Sequence, residues 1–178
     1  MNVVTLLTND HRTVEALLER YRSATNEAKR PLLDEITRDL TKHMDAEESV
    51  LYPLLRTSIP RGEELMAEAV EEHKKAKGLL AELQSTEAGS FDMDSRVATL
   101  RGAIQHHVRE EEGTIFPEMQ KSLEDALLEE LGDQIEDAKR AAPEMPPGSA
   151  EKDSPGVSMG GVATAATDRL KNAVTGKD

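Results

Sequence analysis

One motif occurs twice in this chain, and it restricts the possible folds more than any other feature. Both copies read histidine, three residues, Glu-Glu, two residues, an aliphatic residue, an aromatic residue and proline. In an α-helix, each residue lies close to the residue four positions earlier. The motif therefore places His43 beside Glu47 and, 64 residues later, His107 beside Glu111, each pair on one helix face.

Two further histidines repeat with almost the same spacing. His11 and His73 are 62 residues apart, and each lies on the apolar stripe of a predicted helix that precedes one copy of the motif. Apolar residues at alternating three- and four-residue spacing are typical of amphipathic helices. The chain thus reads as two helical hairpins, each with a histidine on its first helix and a His-x3-Glu pair on its second.

The same periodicity predicts an all-α fold. The predicted helices cover residues 3 to about 25, 31 to about 57, 63 to about 85, about 92 to 119, and 121 to 141. Short connections between the first four indicate an antiparallel up-down-up-down four-helix bundle, to which the fifth helix is added. Residues 26–30 are predicted to be a polar connection. Pro53 and Pro117 are expected to kink the ends of the second and fourth helices.

We expect three parts along the chain: a four-helix domain over residues 1–120, an additional helix over 121–141, and a tail rich in Pro, Gly and Ala over 142–178. The composition of the tail does not support a packed core, so a flexible segment is the favoured interpretation. The alternative is a short terminal helix that docks on a partner or on a second copy. It follows from apolar residues at helical spacing, namely Val162, Ala166, Leu170 and Ala173.

Composition excludes several classes of function. The formal net charge of -13 repels phosphate backbones, so nucleic acid is not an expected partner. The absence of cysteine excludes thiolate metal sites, iron–sulfur clusters and disulfides. The first residues do not resemble a signal peptide, and no apolar stretch reaches membrane-spanning length. We therefore expect a cytoplasmic protein, as a monomer or weak homo-oligomer, whose partners are small molecules.

Two glutamates stand where the apolar stripes call for leucine. An ionised carboxylate in a dry core costs several kcal/mol unless it is paired, and neither stripe supplies Lys or Arg to Glu47 or Glu111. A bound cation resolves both cases, with the stripe histidines as further ligands. The predicted metal ligands are His11, His43, Glu47, His73, His107 and Glu111.

The donor set indicates which ions fit. Imidazole and carboxylate without thiolate suit iron, manganese or zinc. If both glutamates bridge two six-coordinate ions, the protein fills about eight of twelve coordination positions and a bridging oxygen two more. About two positions then remain for a small ligand, which is typical of binding or redox chemistry rather than of a structural site.

Some assignments stay open at this point. His106 and Glu110 form an overlapping His-x3-Glu pair, about 100° around the helix from the favoured pair; a boundary position is preferred for His106, with a metal or proton-transfer role as the alternative. Four acidic residues next to ligand positions are either solvated or hydrogen-bonded to ligand histidines: Asp10, Glu48, Glu72 and Glu112. Tyr52 and Phe116 are predicted to lie opposite the ligands and to act in packing.

With these residues in view, the chain resembles the hemerythrin family, specifically the bacterial stand-alone hemerythrin-like proteins with an HHE cation-binding domain. The resemblance covers residues 1 to about 120. It implies a four-helix bundle around a non-haem centre of two iron ions, bridged by oxo or hydroxo, that interacts with dioxygen, peroxide or nitric oxide. The same six residues are implied as ligands.

The chain departs from the oxygen-carrying members of that family at one position. They have a second histidine four residues after the one on the third helix, and here that position is Lys77. One ligand fewer implies a more open centre. This favours an oxidoreductase that turns over hydrogen peroxide or nitric oxide, catalase- or peroxidase-like, with a role in oxidative stress. The alternative is a non-enzymatic sensor of oxygen, iron or redox state, or an oxygen store.

Overall fold

The structure is a computed structural model that describes residues 1–87 and 89–143. These residues form helices joined by short connections, with no strand among them. The α-helices are α1 Val3–Ser23, α2 Asn26–Ala46, α3 Tyr52–Ser58, α4 Gly62–Gln84, α5 Phe91–Glu110, α6 Phe116–Ser122 and α7 Asp125–Ala141. Two five-residue π-helical turns, Glu47–Leu51 and Glu111–Ile115, join α2 to α3 and α5 to α6, so that each of these pairs forms one continuous rod. The four rods of the bundle are, in chain order, α1, α2 with α3, α4, and α5 with α6.

Side-chain contacts show that neighbouring helices run antiparallel. Arg12, near the middle of α1, binds Glu112 in the π turn after α5 (2.7 Å), whereas Tyr21, late in α1, donates to Asp94 at the start of α5 (2.9 Å). The same reversal relates α2 to α4, whose contacts join Lys77 to Glu48 and Gln84 to Thr37. The predicted all-α bundle with an additional helix is confirmed; the predicted terminal helix lies outside the described residues.

The apolar core is divided into two clusters by a polar layer halfway along the bundle. On α1, Leu7 belongs to one cluster and Val14 to the other, and on α4 Ala69 and Ala76 are divided in the same way. The histidines of these helices lie between the two clusters. Apolar side chains therefore close off the polar layer at both of its ends.

Helix α7 belongs to the first of these clusters. Its leucines and Ile135 are buried against α1 and the π turn that follows α2. A Cβ on Gly132 would lie 1.8 Å from the carbonyl oxygen of Met1, so the glycine lets the N-terminal end of the chain approach α7. The helix begins at Asp125, later than the predicted 121, because α6 continues to Ser122 and the backbone of Leu123 is extended. None of the described helices is long and apolar enough to cross a membrane.

The second rod begins earlier than predicted. Residues 26–30 were expected to be a connection, but α2 already starts at Asn26. Lys29 fixes this first turn, because its Nζ lies 2.7 Å from both carboxylate oxygens of Asp94. Arg30 adds a hydrogen bond to the carbonyl oxygen of Leu83 (3.2 Å). Pro31 lies inside the helix as a result and leaves one backbone hydrogen bond unformed near its start.

The ends of the second and fourth rods contain π turns where simple kinks were predicted. Glu47 and Glu111 each begin such a turn, and the backbone N–H groups of Tyr52 and Phe116 donate to their carbonyl oxygens five residues back. A proline follows directly in both cases and has no N–H to continue the ordinary four-residue ladder. A π turn contains one extra residue, so it rotates the side chains that follow it.

Gly62 provides a test of the close contact between α3 and α4. A Cβ at this position would lie 2.1 Å from the carbonyl oxygen of Leu55 and 2.8 Å from that of Arg56. We expect Gly62→Ala to lower the free energy of unfolding by about 1–3 kcal/mol through overpacking. Gly102→Ala is the control, because a Cβ there meets no atom within 4 Å, and it should stabilise the fold by about 1 kcal/mol. Denaturant titration measures both; stabilisation by Gly62→Ala would contradict the close contact.

Candidate metal centre

Six side chains from the four rods meet in the polar layer and form one buried cluster. Glu47 and Glu111 are 0% exposed, and none of the four histidines is more than 8% exposed. We call this set the buried cluster: His11, His43, Glu47, His73, His107 and Glu111. These are the six residues that the sequence predicts as metal ligands, and the structure brings all of them together.

Each carboxylate of the cluster lies between two imidazoles. Oε2 of Glu47 is 3.2 Å from Nε2 of His43 and 3.5 Å from Nε2 of His73. The second half repeats this arrangement: Glu111 Oε2 lies 3.2 Å from His11 Nε2 and 3.5 Å from His107 Nε2. Adjacent ligands of an octahedral ion with bonds of about 2.1 Å lie about 3 Å apart, so these spacings suit donors that share an ion.

The donors divide into two groups that share one residue. The first contains His11, His43, Glu47 and Glu111, and the second contains Glu47, His73 and His107; within each, the ligand atoms lie within 4.8 Å of one another. Glu47 belongs to both. An arrangement of two adjacent donor groups with a common carboxylate suits two neighbouring cations.

Several of these atoms have no hydrogen-bond partner within the protein. They are both carboxylate oxygens of Glu47, Oε2 of Glu111 and Nε2 of His11. A buried polar atom without a partner costs free energy, and buried charges are almost always paired or bound to a metal. A cation between these atoms would satisfy all of them, so the residues present fit the metal that the donor set implies.

The protonation states of the cluster are consistent with cation binding. Burial raises the pKa of Glu47 well above its ordinary value, and the nearby Glu111 carboxylate raises it further. Burial also favours the neutral form of Glu111, but His107 brings its pKa down to about 2. Both effects favour the protonated form of Glu47, and a cation bound there would displace that proton. Burial lowers the pKa of His43 and His73, which favours the neutral imidazoles that bind metal, whereas at His107 the carboxylates of Glu111 and Glu72 outweigh burial and raise the pKa.

All four imidazoles face the cluster with Nε2 and turn Nδ1 outward to a carboxylate. His73 Nδ1 lies 2.9 Å from Glu48, and His107 Nδ1 lies 2.9 Å from Glu72. The remaining pairs are His11 with Glu112 at 3.0 Å and His43 with Asp10 at 3.3 Å. A carboxylate at Nδ1 holds the proton on that nitrogen and leaves the lone pair of Nε2 free to bind metal.

We call Asp10, Glu48, Glu72 and Glu112 the outer carboxylates. Sequence reasoning left them open between a solvated face and a hydrogen bond to a ligand histidine, and the structure shows the hydrogen bond for each. Each lies next to a cluster residue along the chain but binds a histidine on a different helix. Sequence alone does not reveal that pairing, because it depends on how the helices cross.

Three of the outer carboxylates also bind a Lys or Arg side chain. Lys139 of α7 lies 2.6 Å from both oxygens of Asp10, and Arg12 lies 2.7 Å from Glu112. Lys77 lies 2.9 Å from Glu48. These Lys and Arg side chains hold the outer carboxylates in place and balance their charge. The orientation of the cluster histidines therefore depends on contacts that extend to the protein surface.

Lys77 occupies the position where the sequence lacks a further histidine. Its Nζ lies 2.7 Å from Asp45 and 2.9 Å from Glu48, and the side chain is 33% exposed. Because Glu48 binds His73, the lysine orients a cluster histidine rather than adding a ligand of its own.

The prediction that Tyr52 and Phe116 lie opposite the ligands is wrong. The Tyr52 hydroxyl lies 3.1 Å from Nε2 of His73 and donates to Oε1 of Glu111 at 3.3 Å. Phe116 stacks on His11, with ring centroids 5.9 Å apart and an interplanar angle of 3°. The π turns explain the error, because their extra residue turns both aromatic rings toward the cluster.

The alternative pair, His106 and Glu110, lies outside the buried cluster. The His106 side chain is 54% exposed and that of Glu110 is 35% exposed. Together with Glu72 they form a third group of possible metal donors, at the surface between α4 and α5. The register chosen from the apolar stripe, with His107 and Glu111 facing inward, is thus the one that the fold adopts.

A small apolar cavity adjoins the cluster on the side of the second apolar cluster. Its volume is about 20 Å³, which is room for about one water-sized molecule. Beside the cluster histidines, its walls are mostly apolar side chains, among them Val14, Leu40, Met44, Ala76 and Ile104. A wider surface groove between α1 and α5 shares Ile104, Val108 and His11 with it. The cavity thus lies directly against the candidate metal ligands and close to a surface groove.

Comparison with known proteins agrees with this geometry. The model of the hemerythrin HHE cation-binding domain matches residues 2–119. A DNA nickase from Nostoc sp. is 29% identical over 140 residues, which are 78% of this chain but only 39% of the nickase. A hemerythrin-like protein from Schizosaccharomyces pombe is 24% identical over 165 residues, covering 92% of this chain and 81% of that protein.

A solved structure shows the same fold. The crystal structure of a hemerythrin HHE cation-binding domain-containing protein from Mycobacterium kansasii superposes with a TM-score of 0.69 at 24% identity, covering 79% of this chain and 86% of that one. The family match spans both copies of the repeated motif and all six residues of the buried cluster. This chain therefore belongs to the hemerythrin HHE family of cation-binding domains, whose metal is typically iron.

Proposed function

We propose that the buried cluster holds two iron ions, and that the protein uses them to bind and turn over a small oxygen or nitrogen species: hydrogen peroxide, nitric oxide or dioxygen. The observation that carries the proposal is the pair of fully buried carboxylates, Glu47 and Glu111, set among four imidazoles with donor atoms that the protein leaves unpaired. Iron bound there would supply reversible electron transfer and open coordination positions for the small molecule.

The protein residues have separate tasks in this proposal. His11, His43 and the shared Glu47 would hold one ion together with Glu111, and His73 and His107 would hold the other with Glu47. The outer carboxylates fix the imidazole rings. The apolar clusters exclude water from both ends of the site.

One hydroxyl is available at the site for hydrogen bonding. Burial raises the pKa of Tyr52 well above its ordinary value, and the carboxylates of Glu47 and Glu111 raise it further. The phenol therefore stays protonated and serves as a donor at Oε1 of Glu111. General acid catalysis requires such a donor within hydrogen-bond reach of the reacting group.

The alternative function is a non-enzymatic one, as an oxygen, iron or redox sensor or as an oxygen store. The apolar cavity beside the cluster would give a small ligand a place to bind without turnover. Nicking of DNA is not proposed, because the chain spans 39% of the relative named for it and its net charge of -13 opposes binding to phosphate backbones.

The proposal is tested by metal analysis and an optical spectrum of the full chain purified in air, followed by addition of hydrogen peroxide. We expect about two irons per chain, in line with the two donor groups, and visible absorption from ferric iron. Oxygen release after peroxide addition, followed with an oxygen electrode, indicates turnover, whereas its absence with intact iron favours the sensor or store. Fully loaded protein with a single zinc and no visible absorption would refute the iron centre.

The carboxylates provide a sharper test of the ligand assignment. Glu47→Ala and Glu111→Ala should each lose at least one iron of the buried cluster, because each removes a carboxylate that contacts two imidazoles. Glu110→Ala is the matched control on the neighbouring helix position and should retain the visible spectrum. Iron content after gel filtration with a weak chelator measures the difference. An emptied site in Glu110→Ala with a full one in Glu111→Ala would reverse the register.

The contribution of α7 is tested at Lys139. Lys139→Met removes the ammonium group that binds Asp10. Because Asp10 orients His43, we expect iron affinity to fall by about tenfold. Arg140→Met is the control, because within residues 1–87 and 89–143 the ion pair of Arg140 is with the exposed Asp137 on the same helix. Competition with a chromophoric chelator measures both variants. Equal affinity in the two would show that α7 does not support the site.

A further inference from the structure

The fourth outer carboxylate differs from the other three in what lies beyond it. Asp10, Glu48 and Glu112 each bind a Lys or Arg side chain within 2.6–2.9 Å. The fourth, Glu72, forms no hydrogen bond or ion pair with Lys or Arg among residues 1–87 and 89–143. One of its oxygens accepts from His107, and the other lies 3.0 Å from Nε2 of His106.

A second carboxylate increases the negative charge at this position. Glu110 Oε1 lies 3.7 Å from the same Nε2 of His106, and Glu110 likewise forms no ion pair with Lys or Arg in the described part of the chain. Two carboxylates thus converge on one imidazole. In the three corresponding places, the protein provides a permanent positive charge.

The convergent atoms have the chemistry of a metal site. One imidazole nitrogen and two carboxylate oxygens lie within 4.8 Å of one another, and the four-residue spacing of His106 and Glu110 places both on one face of α5. Imidazole with carboxylate suits divalent transition ions such as Zn²⁺, Fe²⁺ and Co²⁺. The buried cluster uses the same donor types in each of its groups.

Exposure indicates an exchangeable ion rather than a permanent one. The side chains of Glu72, Glu110 and His106 are 11%, 35% and 54% exposed, so water can complete the coordination of an ion bound there. The net charge of -13 raises the local concentration of cations near the surface. An ion at this position would be reached directly from solvent.

We propose that Glu72, His106 and Glu110 form a surface site for one exchangeable divalent transition-metal ion, additional to the buried cluster and linked to it through the hydrogen bond between Glu72 and His107. The ion balances the charge of Glu72 as Lys139, Lys77 and Arg12 do for the other outer carboxylates. The orientation of His107 then depends on a bound cation, whereas the other three cluster histidines rely on Lys or Arg.

Cobalt(II) is a suitable probe, because its visible absorption reports ligation. Full-length protein, with its buried metal retained and counted beforehand, is titrated with Co²⁺ by calorimetry and by difference absorption. We expect the wild type to bind one ion beyond the buried complement, and Zn²⁺ to displace it. His106→Ala and Glu110→Gln should each weaken this binding by about tenfold or more while the buried metal stays in place.

Two controls separate ligation from general charge. Gln105→Ala changes an exposed neighbour of His106, and Glu129→Gln removes one exposed carboxylate of α7; both should bind the additional ion as the wild type does. Absence of additional binding at millimolar cobalt, or equal binding in wild type and His106→Ala, would overturn the proposal. Because the readout is the difference between variants, it holds whatever metal the buried cluster contains.

Discussion

The burial of two carboxylates in the middle of a helical bundle is the constraint on which the rest of this structure depends. Glu47 and Glu111 have no exposed surface, and no Lys or Arg of the described chain contacts them. Ionised and unpaired, each would cost several kcal/mol. The four imidazoles, the unpaired donor atoms and the family's cation-binding character all follow from the need for positive charge at this level. The apolar clusters above and below then stabilise the fold and keep the site dry.

The outer carboxylates connect the repeated hairpins into one unit. Asp10 binds His43 within the first hairpin, and Glu72 binds His107 within the second. The other two connect the hairpins to each other: Glu48 binds His73, and Glu112 binds His11. Every histidine of the cluster is therefore fixed from a neighbouring helix, so its position depends on the assembled bundle and not on its own helix alone.

The sequence was sufficient to predict the fold and to select the six cluster residues, because both depend on periodicity within single helices. The four-residue spacing places Glu47 beside His43, and the 62- and 64-residue repeats bring the corresponding residues of both hairpins into one cluster. Other features depend on contacts between helices or on departures from helical periodicity. The predicted direction of the Tyr52 side chain was wrong because a π turn adds a residue before it. The role of Lys139 could not be predicted because α7 reaches Asp10 only in the folded bundle. The early start of α2 has the same cause, since Lys29 binds Asp94 of a distant helix.

Metal capture and folding are coupled in such an arrangement. Without a cation, burial and the neighbouring Glu111 carboxylate raise the pKa of Glu47 and favour its protonated form, while the geometry gives its oxygens no hydrogen-bond partner among the described residues. A cation that replaces the proton supplies those partners and stabilises the folded state, because the unfolded chain offers no comparable set of converging donors. Apolar clusters pack the rods together on both sides of the site. The protein thus presents a largely formed site to the ion, and the histidines, already oriented by their outer carboxylates, need little rearrangement to bind it.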